Sequence, residues 1–288
     1  MIALFRLPVV LCCSLLTPLW LAAQSTTTDI EYARVGDKML TLDLHLPGEP
    51  KAPLVVYVHG GAWRAGSKSD VPIAPLLAHG FAIASVDYRL STESPFPAQV
   101  HDIKAAIRFL RGKAELFHLN AACIAIIGSS AGGHLAALVG VTNGVKELEG
   151  AVGDHLTQSS DVQCIVSYYG ASNLQTILAQ STDFGRRMRV PALKLLLGGT
   201  PDEKPELARL ASPVAHIDQA DPPLLLIHGT ADPQMPPEQS DELAKAYRAQ
   251  HREITLVPMI NSKHGGSEFY DDDRTKTVAT FLKRHLLQ

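Results

Sequence analysis

Apolar and polar positions alternate over residues 29–35 and again over Lys38–Leu46, on either side of Gly36-Asp37. Alternation with a period of two, broken by a Gly-Asp pair, predicts a β-hairpin with one face buried. The next apolar runs are continuous instead: 54–58, 81–86, 124–127, 164–169, 223–227 and 254–258. Runs of that length with no polar face predict strands buried on both sides, as in parallel sheets. Helical spacing lies between them. Ile103, Ala106, Ile107 and Leu110 recur at i, i+3, i+4 and i+7, and Leu243, Ala246 and Tyr247 share one face, as do Val278, Phe281 and Leu282. An antiparallel start followed by strand–helix units predicts an α/β fold with a mostly parallel sheet flanked by helices.

Two stretches depart from this rhythm. Residues 171–221 hold Arg186, Arg187, Arg189, Gly198-Gly199 and several prolines. A connection that long between core strands is usually functional, so it is expected to be a cap-like insertion in one catalytic domain spanning 24–288. Residues 1–23 carry one charge, Arg6, then an apolar run, and end in Ala22-Ala23. This reads as a secretory signal peptide cut near Ala23. A retained anchor is the alternative, but Pro8 and Pro18 interrupt a run shorter than the ~20 residues a span needs. The mature chain is therefore expected to be secreted or periplasmic, with no membrane span.

Composition narrows the function classes. The 288 residues are 46% hydrophobic and 19% charged, with 26 basic against 29 acidic side chains for a net charge of −3. That balance argues against nucleic acid as the partner. Of four cysteines, Cys12 and Cys13 fall in the leader, leaving Cys123 and Cys164. Export permits a disulfide between them; two buried free thiols is the favoured reading. The acidic run Asp271-Asp272-Asp273 heads a predicted helix, where it complements the dipole and need not bind metal.

The candidate chemistry centres on Gly128-Ser129-Ser130-Ala131-Gly132, between the 124–127 strand and a helical stretch over 131–141. Gly-x-Ser-x-Gly between strand and helix predicts a sharp turn that projects the central hydroxyl, with small residues on either side so that strand and helix can approach. Ser130 is the candidate nucleophile, and Ser129 is the variable position of the motif. A hydroxyl needs a base. Of twelve histidines, His264 lies in a polar loop just after the 254–258 strand, at the carboxyl rim where open α/β sheets carry their sites. His251 and His285 are read as solvated helical residues, and His79 and His118 as helix-end residues. The base needs an orienting acid. Asp232 follows the 223–227 strand on the same rim, and Asp87 is its rival by location. Arg89 beside Asp87 suggests a structural ion pair there. Glycines in His59-Gly60-Gly61-Ala62-Trp63 can turn backbone N–H groups inward, so Gly61 and Ala62, with Ala131, are the candidate oxyanion donors. His59 and His134 are read as structural. Trp63 is read either as core or as a wall of the acyl pocket.

These motifs, with Asp87-Tyr88-Arg89-Leu90, Tyr169-Gly170, Ser212-Pro213, Pro222-Pro223 and Lys263-His264-Gly265, occur in an order that resembles the carboxylesterase group of α/β-hydrolases, which includes bacterial feruloyl and acetylxylan esterases. The resemblance runs from about Ile30 to Leu286. It implies an eight-stranded sheet and the chain order nucleophile Ser130, acid Asp232, base His264. It also implies a carboxylic-ester substrate, a small molecule or linked to polysaccharide, and no cofactor. Related esterases often carry a third glycine where this chain has Ala62, which puts bulky tertiary-alcohol esters in doubt. The His-Gly-Gly-x-Trp form also resembles arylformamidases. The same motifs are compatible with a small serine peptidase, and the scaffold with a non-catalytic binding protein.

Overall fold

The computed structural model describes residues 23–287. The expected signal peptide therefore lies outside the described residues, except for Ala23. Eight strands form one sheet: β1 (Ser25–Val35), β2 (Lys38–Leu46), β3 (Ala52–Val58), β4 (Ala82–Val86), β5 (Leu119–Ser129), β6 (Cys164–Tyr168), β7 (Leu224–Gly229) and β8 (Ile254–Met259). Their spatial order is β1-β2-β4-β3-β5-β6-β7-β8. The β1–β2 hairpin is antiparallel and joins β4 antiparallel, while β3 to β8 are mutually parallel.

The central parallel strands are mostly apolar because both faces are covered, whereas β8, expected to be buried on both sides, lies at the sheet edge with Thr255 and Pro258 exposed. In β3, Leu54, Val56 and Val58 face one core, and Val55 and Tyr57 face the other. The first core is closed by α1 (Ala98–Gly112), α2 (Ala131–Gly140) and α7 (Glu238–Ala249). The second is closed by a short 3-10 turn at Ala74–His79 and by α8 (Asp272–Leu286). The remaining α-helices among the described residues are α3 (Lys146–Glu149) and, in the insertion, α4 (Ile177–Gln180), α5 (Asp183–Leu197) and α6 (Pro205–Leu210).

Several elements differ from the pattern-based expectation. β1 starts four residues earlier than the alternation begins, because its pairing with β2 shifts register between Thr27 and Ile30 and Asp29 adopts φ +58°. A bulge of that kind erases the period-two signal. β5 begins at Leu119, where Leu119 and Asn120 pair with Ala52 and Pro53. α5 runs through Pro191, so the prolines of the insertion do not end it. His251 stands beyond the end of α7 in a turn with φ +55°, not on a helix. His285 is half-buried against Phe281. Asp271 caps α8, accepting a hydrogen bond from Arg274 N at 2.8 Å. Both Cys123 and Cys164 are free thiols.

The topology brings the carboxyl ends of β3, β5, β7 and β8 to one rim. Each is followed by a loop carrying one of the candidate site motifs.

Candidate active site

Ser130 sits between β5 and α2 with φ +54° and ψ −118°. A non-glycine residue in that region is strained, and such strain persists only where its surroundings enforce it. Two hydrogen bonds and a pair of close glycine contacts enforce it here. Ser130 N donates to Tyr168 O at 2.9 Å, and His134 N donates to Ser130 O at 3.0 Å. A Cβ on Gly128 would stand 2.1 Å from Gly132 O, and one on Gly132 would stand 2.0 Å from Val58 O. Strand, turn and helix therefore approach as closely as glycine allows.

The structure brings the three sequence-predicted catalytic residues together. Ser130 Oγ lies 2.8 Å from His264 Nε2, and His264 Nδ1 lies 2.6 Å from Asp232 Oδ2. With Nδ1–H donating to the carboxylate, Nε2 keeps its lone pair for the Ser130 hydroxyl. Asp232 Oδ1 accepts from Gln234 N at 2.8 Å and Met235 N at 2.9 Å. Burial works to raise the Asp232 pKa, but hydrogen bonds from His228, His264 and the Met235 N–H hold it well below the usual carboxylate range. The group is thus a fixed anion beneath the imidazole.

His228 is a residue that sequence reasoning missed. Its Nε2 stands 3.3 Å from Asp232 Oδ2 and bonds Met235 O at 3.1 Å, while Nδ1 bonds Ser240 Oγ at 2.7 Å. Its spacing of four residues from Asp232, across the β7 turn, was the signal that could have found it.

The expected oxyanion loop has three consecutive residues at positive φ: Gly61 at +108°, Ala62 at +52° and Trp63 at +60°. The turn is closed by Arg64 N and Ala65 N donating to Gly61 O at 3.1 and 3.0 Å. A Cβ on Gly61 would meet Ala65 O at 2.1 Å, so this position requires glycine. Ala131 opens α2, where the first N–H groups have no intrahelical acceptor. Trp63 is buried, it lines the cavity beside Ser130, and its Nε1 donates to His134 Nδ1 at 3.0 Å. His134 Nε2 in turn reaches Ala211 O at 2.7 Å, and burial pushes this histidine down to about 4. A neutral His134 therefore ties the loop at Trp63 to α2 and to Ala211.

His59 bonds Gly60 O through Nδ1 at 2.8 Å and stacks on Tyr88 with centroids 4.4 Å apart. Asp87 does not pair with Arg89, as its sequence neighbourhood suggested. Arg89 forks onto Asp102 of α1, with Nη2–Oδ1 at 2.7 Å and Nε–Oδ2 at 2.9 Å, while Asp87 accepts from Lys68 N at 2.7 Å. Arg89 and Asp87 point to different partners because α1 presents a fully buried carboxylate that only a fork of donors satisfies.

Two cavities meet at Ser130. A narrow one of about 60 Å³ is bordered by Ala62, Trp63, Ala131, Arg189 and Met235. An open cleft of about 400 Å³ is bordered by Gly61, Ala62, Asp70, Ser129, Tyr169 and Gln234. His264 borders both. Tyr169 meets the His264 ring edge-on at 4.8 Å and shares a 2.8 Å hydroxyl–hydroxyl bond with Tyr270.

The family model BD-FAE matches residues 42–247, which include the loop of Gly61 and Ala62, Ser130 and Asp232. Esterase LipC of Mycobacterium tuberculosis is 31% identical over 249 residues, covering 84% of this chain and 60% of LipC. The chain thus spans little more than half the length of the curated relatives it matches, 53% in the case of the probable carboxylic ester hydrolase LipM of the same organism. Among solved structures, a truncated carbohydrate esterase from gut microbiota superposes with a TM-score of 0.82 at 30% identity, covering 94% of this chain and 99% of that one. A bifunctional GH43-CE protein of Bacteroides eggerthii gives a TM-score of 0.82 at 35% identity, covering 91% of this chain and 35% of that one.

Proposed function

This chain belongs to the BD-FAE family of α/β-hydrolase esterases, and on that premise we propose that it hydrolyses carboxylic esters through an acyl-Ser130 intermediate. The observation that carries the reading is the continuous path from Ser130 Oγ through His264 to Asp232 Oδ2, at 2.8 and 2.6 Å. Ser130 Oγ attacks the ester carbonyl as His264 Nε2 takes its proton. Asp232 holds the imidazole tautomer and stabilises the imidazolium. The carbonyl oxygen gathers negative charge beside the N–H groups of Ala62 and Ala131, with Gly61 shaping the loop that presents them. Each such donor is typically worth about 2.7–4 kcal/mol of barrier. The C–O bond breaks as the imidazolium protonates the leaving alcohol. Water, deprotonated by His264, then attacks the acyl-enzyme and releases the acid.

The substrate proposed is an acetyl or feruloyl ester of plant cell-wall polysaccharide. Supporting it are the resemblance of the motif set and the description of the solved neighbour at 30% identity as a carbohydrate esterase. The open cleft at Ser130 has room for a sugar or a phenolic ring. The enzyme is further proposed to act outside the cytoplasm, on the residue pattern of 1–23. Parallel assays of acetate and ferulate release from arabinoxylan, with wild type and Ser130→Ala, test the substrate. Ser130-dependent release of either acid is expected. Cleavage of 4-nitrophenyl acetate with no release from the polymer would remove the polysaccharide reading and leave a general carboxylesterase.

A further inference from the structure

Arg189 is a buried cation at the reaction centre that the triad does not use. It lies on α5 of the insertion, its residue is 6% exposed, and it borders the narrow cavity with Ser130, Ala131 and His264. Its hydrogen bonds are one from Nη1 to Ser181 Oγ and a long one of 3.8 Å from Nη2 to Met235 Sδ. A guanidinium carries five N–H donors, so a hydroxyl and a thioether leave most of its capacity unused. Among the described residues it forms no ion pair with a carboxylate. Asp232 is near enough to favour the charge, but both Asp232 oxygens are already taken by His264, His228, Gln234 N and Met235 N.

The other buried cations, Lys68, Lys104 and Arg108, each have a carboxylate partner, as does half-buried Arg89. Lys68 lies between Asp29 and Asp43, Arg89 forks onto Asp102, and Lys104 and Arg108 share Glu149. A buried charge without a counter-ion is costly, and burial pushes the Arg189 guanidinium down to about 10. Arg64, half-buried and with no ion pair among the described residues, borders the same cavity. None of the other residues lining the cavity is acidic. The cavity beside the nucleophile is thus apolar, small and cationic.

From this we infer that the narrow cavity is a carboxylate subsite, in which Arg189 pairs with a carboxylate borne by the ester substrate close to its scissile bond. The inference rests on the ester-hydrolase reading and specifies it. The cavity is bordered by Ser130 and His264, so a carboxylate seated against Arg189 lies close to the scissile carbonyl. A planar fork facing a carboxylate gives two parallel charge-assisted bonds, and exclusion of water by the surrounding side chains strengthens them. The carboxylate can reach the cavity from either side of the ester. On the acyl side it belongs to a hemiester of a short dicarboxylic acid; on the alcohol side it belongs to an esterified hydroxy acid such as a uronate.

Two matched ester pairs test this on the full mature chain. One pair is 4-nitrophenyl hydrogen glutarate against its methyl ester, with the charge on the acyl side. The other is 4-acetoxybenzoate against methyl 4-acetoxybenzoate, with the charge on the alcohol side. In the wild type, the anionic member of one pair is expected to show the higher kcat/KM, through a lower KM, and the preference should shrink as salt rises. The pair that responds identifies the side. In Arg189→Met the anionic-to-neutral ratio is expected to fall about 10-fold to 100-fold, and Arg189→Lys should retain part of it. A wild-type ratio at or below one in both pairs overturns the inference, whether or not the variants fold. So does an Arg189→Met enzyme whose two rates fall together, because that is the signature of a structural arginine. Failure of the wild type to cleave any of the four esters in a Ser130-dependent way would overturn the esterase reading as well.

Discussion

His228 Nε2 stands 3.3 Å from Asp232 Oδ2, the same carboxylate oxygen that His264 Nδ1 approaches at 2.6 Å. The His264 imidazole also reaches Ser130 Oγ at 2.8 Å, while that of His228 is held by Ser240 Oγ and Met235 O. Asp232 is therefore fixed from both sides before any substrate arrives. Replacing Asp232 by Asn removes the anion and turns an N–H toward His264, which favours the wrong tautomer. A fall in kcat of about ten-thousandfold is expected, at unchanged circular dichroism. Steady-state hydrolysis of 4-nitrophenyl acetate reads it, and a fall of less than about tenfold would remove Asp232 from the triad.

His228→Leu acts through Asp232, so its effect should be smaller. Losing one hydrogen bond to a charged group costs about 1.5–3 kcal/mol, which is about 10-fold to 100-fold in kcat if the loss falls on the transition state. It also has a pH signature. The folded Asp232 pKa is depressed below its ordinary value of 3.8, so its contribution to stability is present above that value and is lost as pH falls through the lower, folded one. With His228 removed the depression shrinks. The stability gap between wild type and variant should therefore narrow on acidification below about pH 4. Denaturant melts at acid and neutral pH measure it, and a constant gap would show that His228 does not act through the carboxylate.

Asp221 has the opposite sign. Burial pushes its carboxyl up to about 7, against the pull of the Asp218 N–H that donates to Oδ2 at 2.8 Å. The unfolded chain gives up this proton more readily than the folded chain does, so stability falls as pH rises from about 4 to about 7 and then levels. Asp221→Asn keeps an acceptor for Asp218 N and removes the titration. The variant is expected to lose less stability than wild type between about pH 4.5 and about pH 7. Parallel slopes in thermal melts would contradict this.

Ala62 holds φ +52° on a wall shared by both cavities. Its methyl group narrows the approach to Ser130, and the left-handed backbone costs roughly 1 kcal/mol more for alanine than for glycine. Ala62→Gly is expected to raise cleavage of a tertiary-alcohol acetate several-fold relative to ethyl acetate. An unchanged ratio would place the steric limit elsewhere in the cleft.

The parts of the molecule legible in the sequence were those with local signals. β3, β6 and β8 announce themselves as apolar runs, the elbow as Gly128 to Gly132, and Asp232 and His264 by following strands. What escaped depended on partners distant in sequence or on broken periodicity. Arg89 stands beside Asp87 in the chain but pairs with Asp102, because α1 folds back and buries that carboxylate. The start of β5 contains Asn120-Ala121-Ala122, which lacks strand propensity and is held by pairing to Ala52 and Pro53. Arg189 could not be placed because its helix contains Pro191, a residue that usually marks a helix end. Its burial depends on how the insertion docks, which no local pattern encodes.

The central claim is that Ser130 is the nucleophile of an ester hydrolase. Steady-state hydrolysis of 4-nitrophenyl acetate by wild type and Ser130→Ala, at matched circular dichroism and melting temperature, tests it most directly. A loss of at least about a thousandfold is predicted, since the remaining residues cannot form the acyl-enzyme. Equal rates in the two proteins would contradict the account.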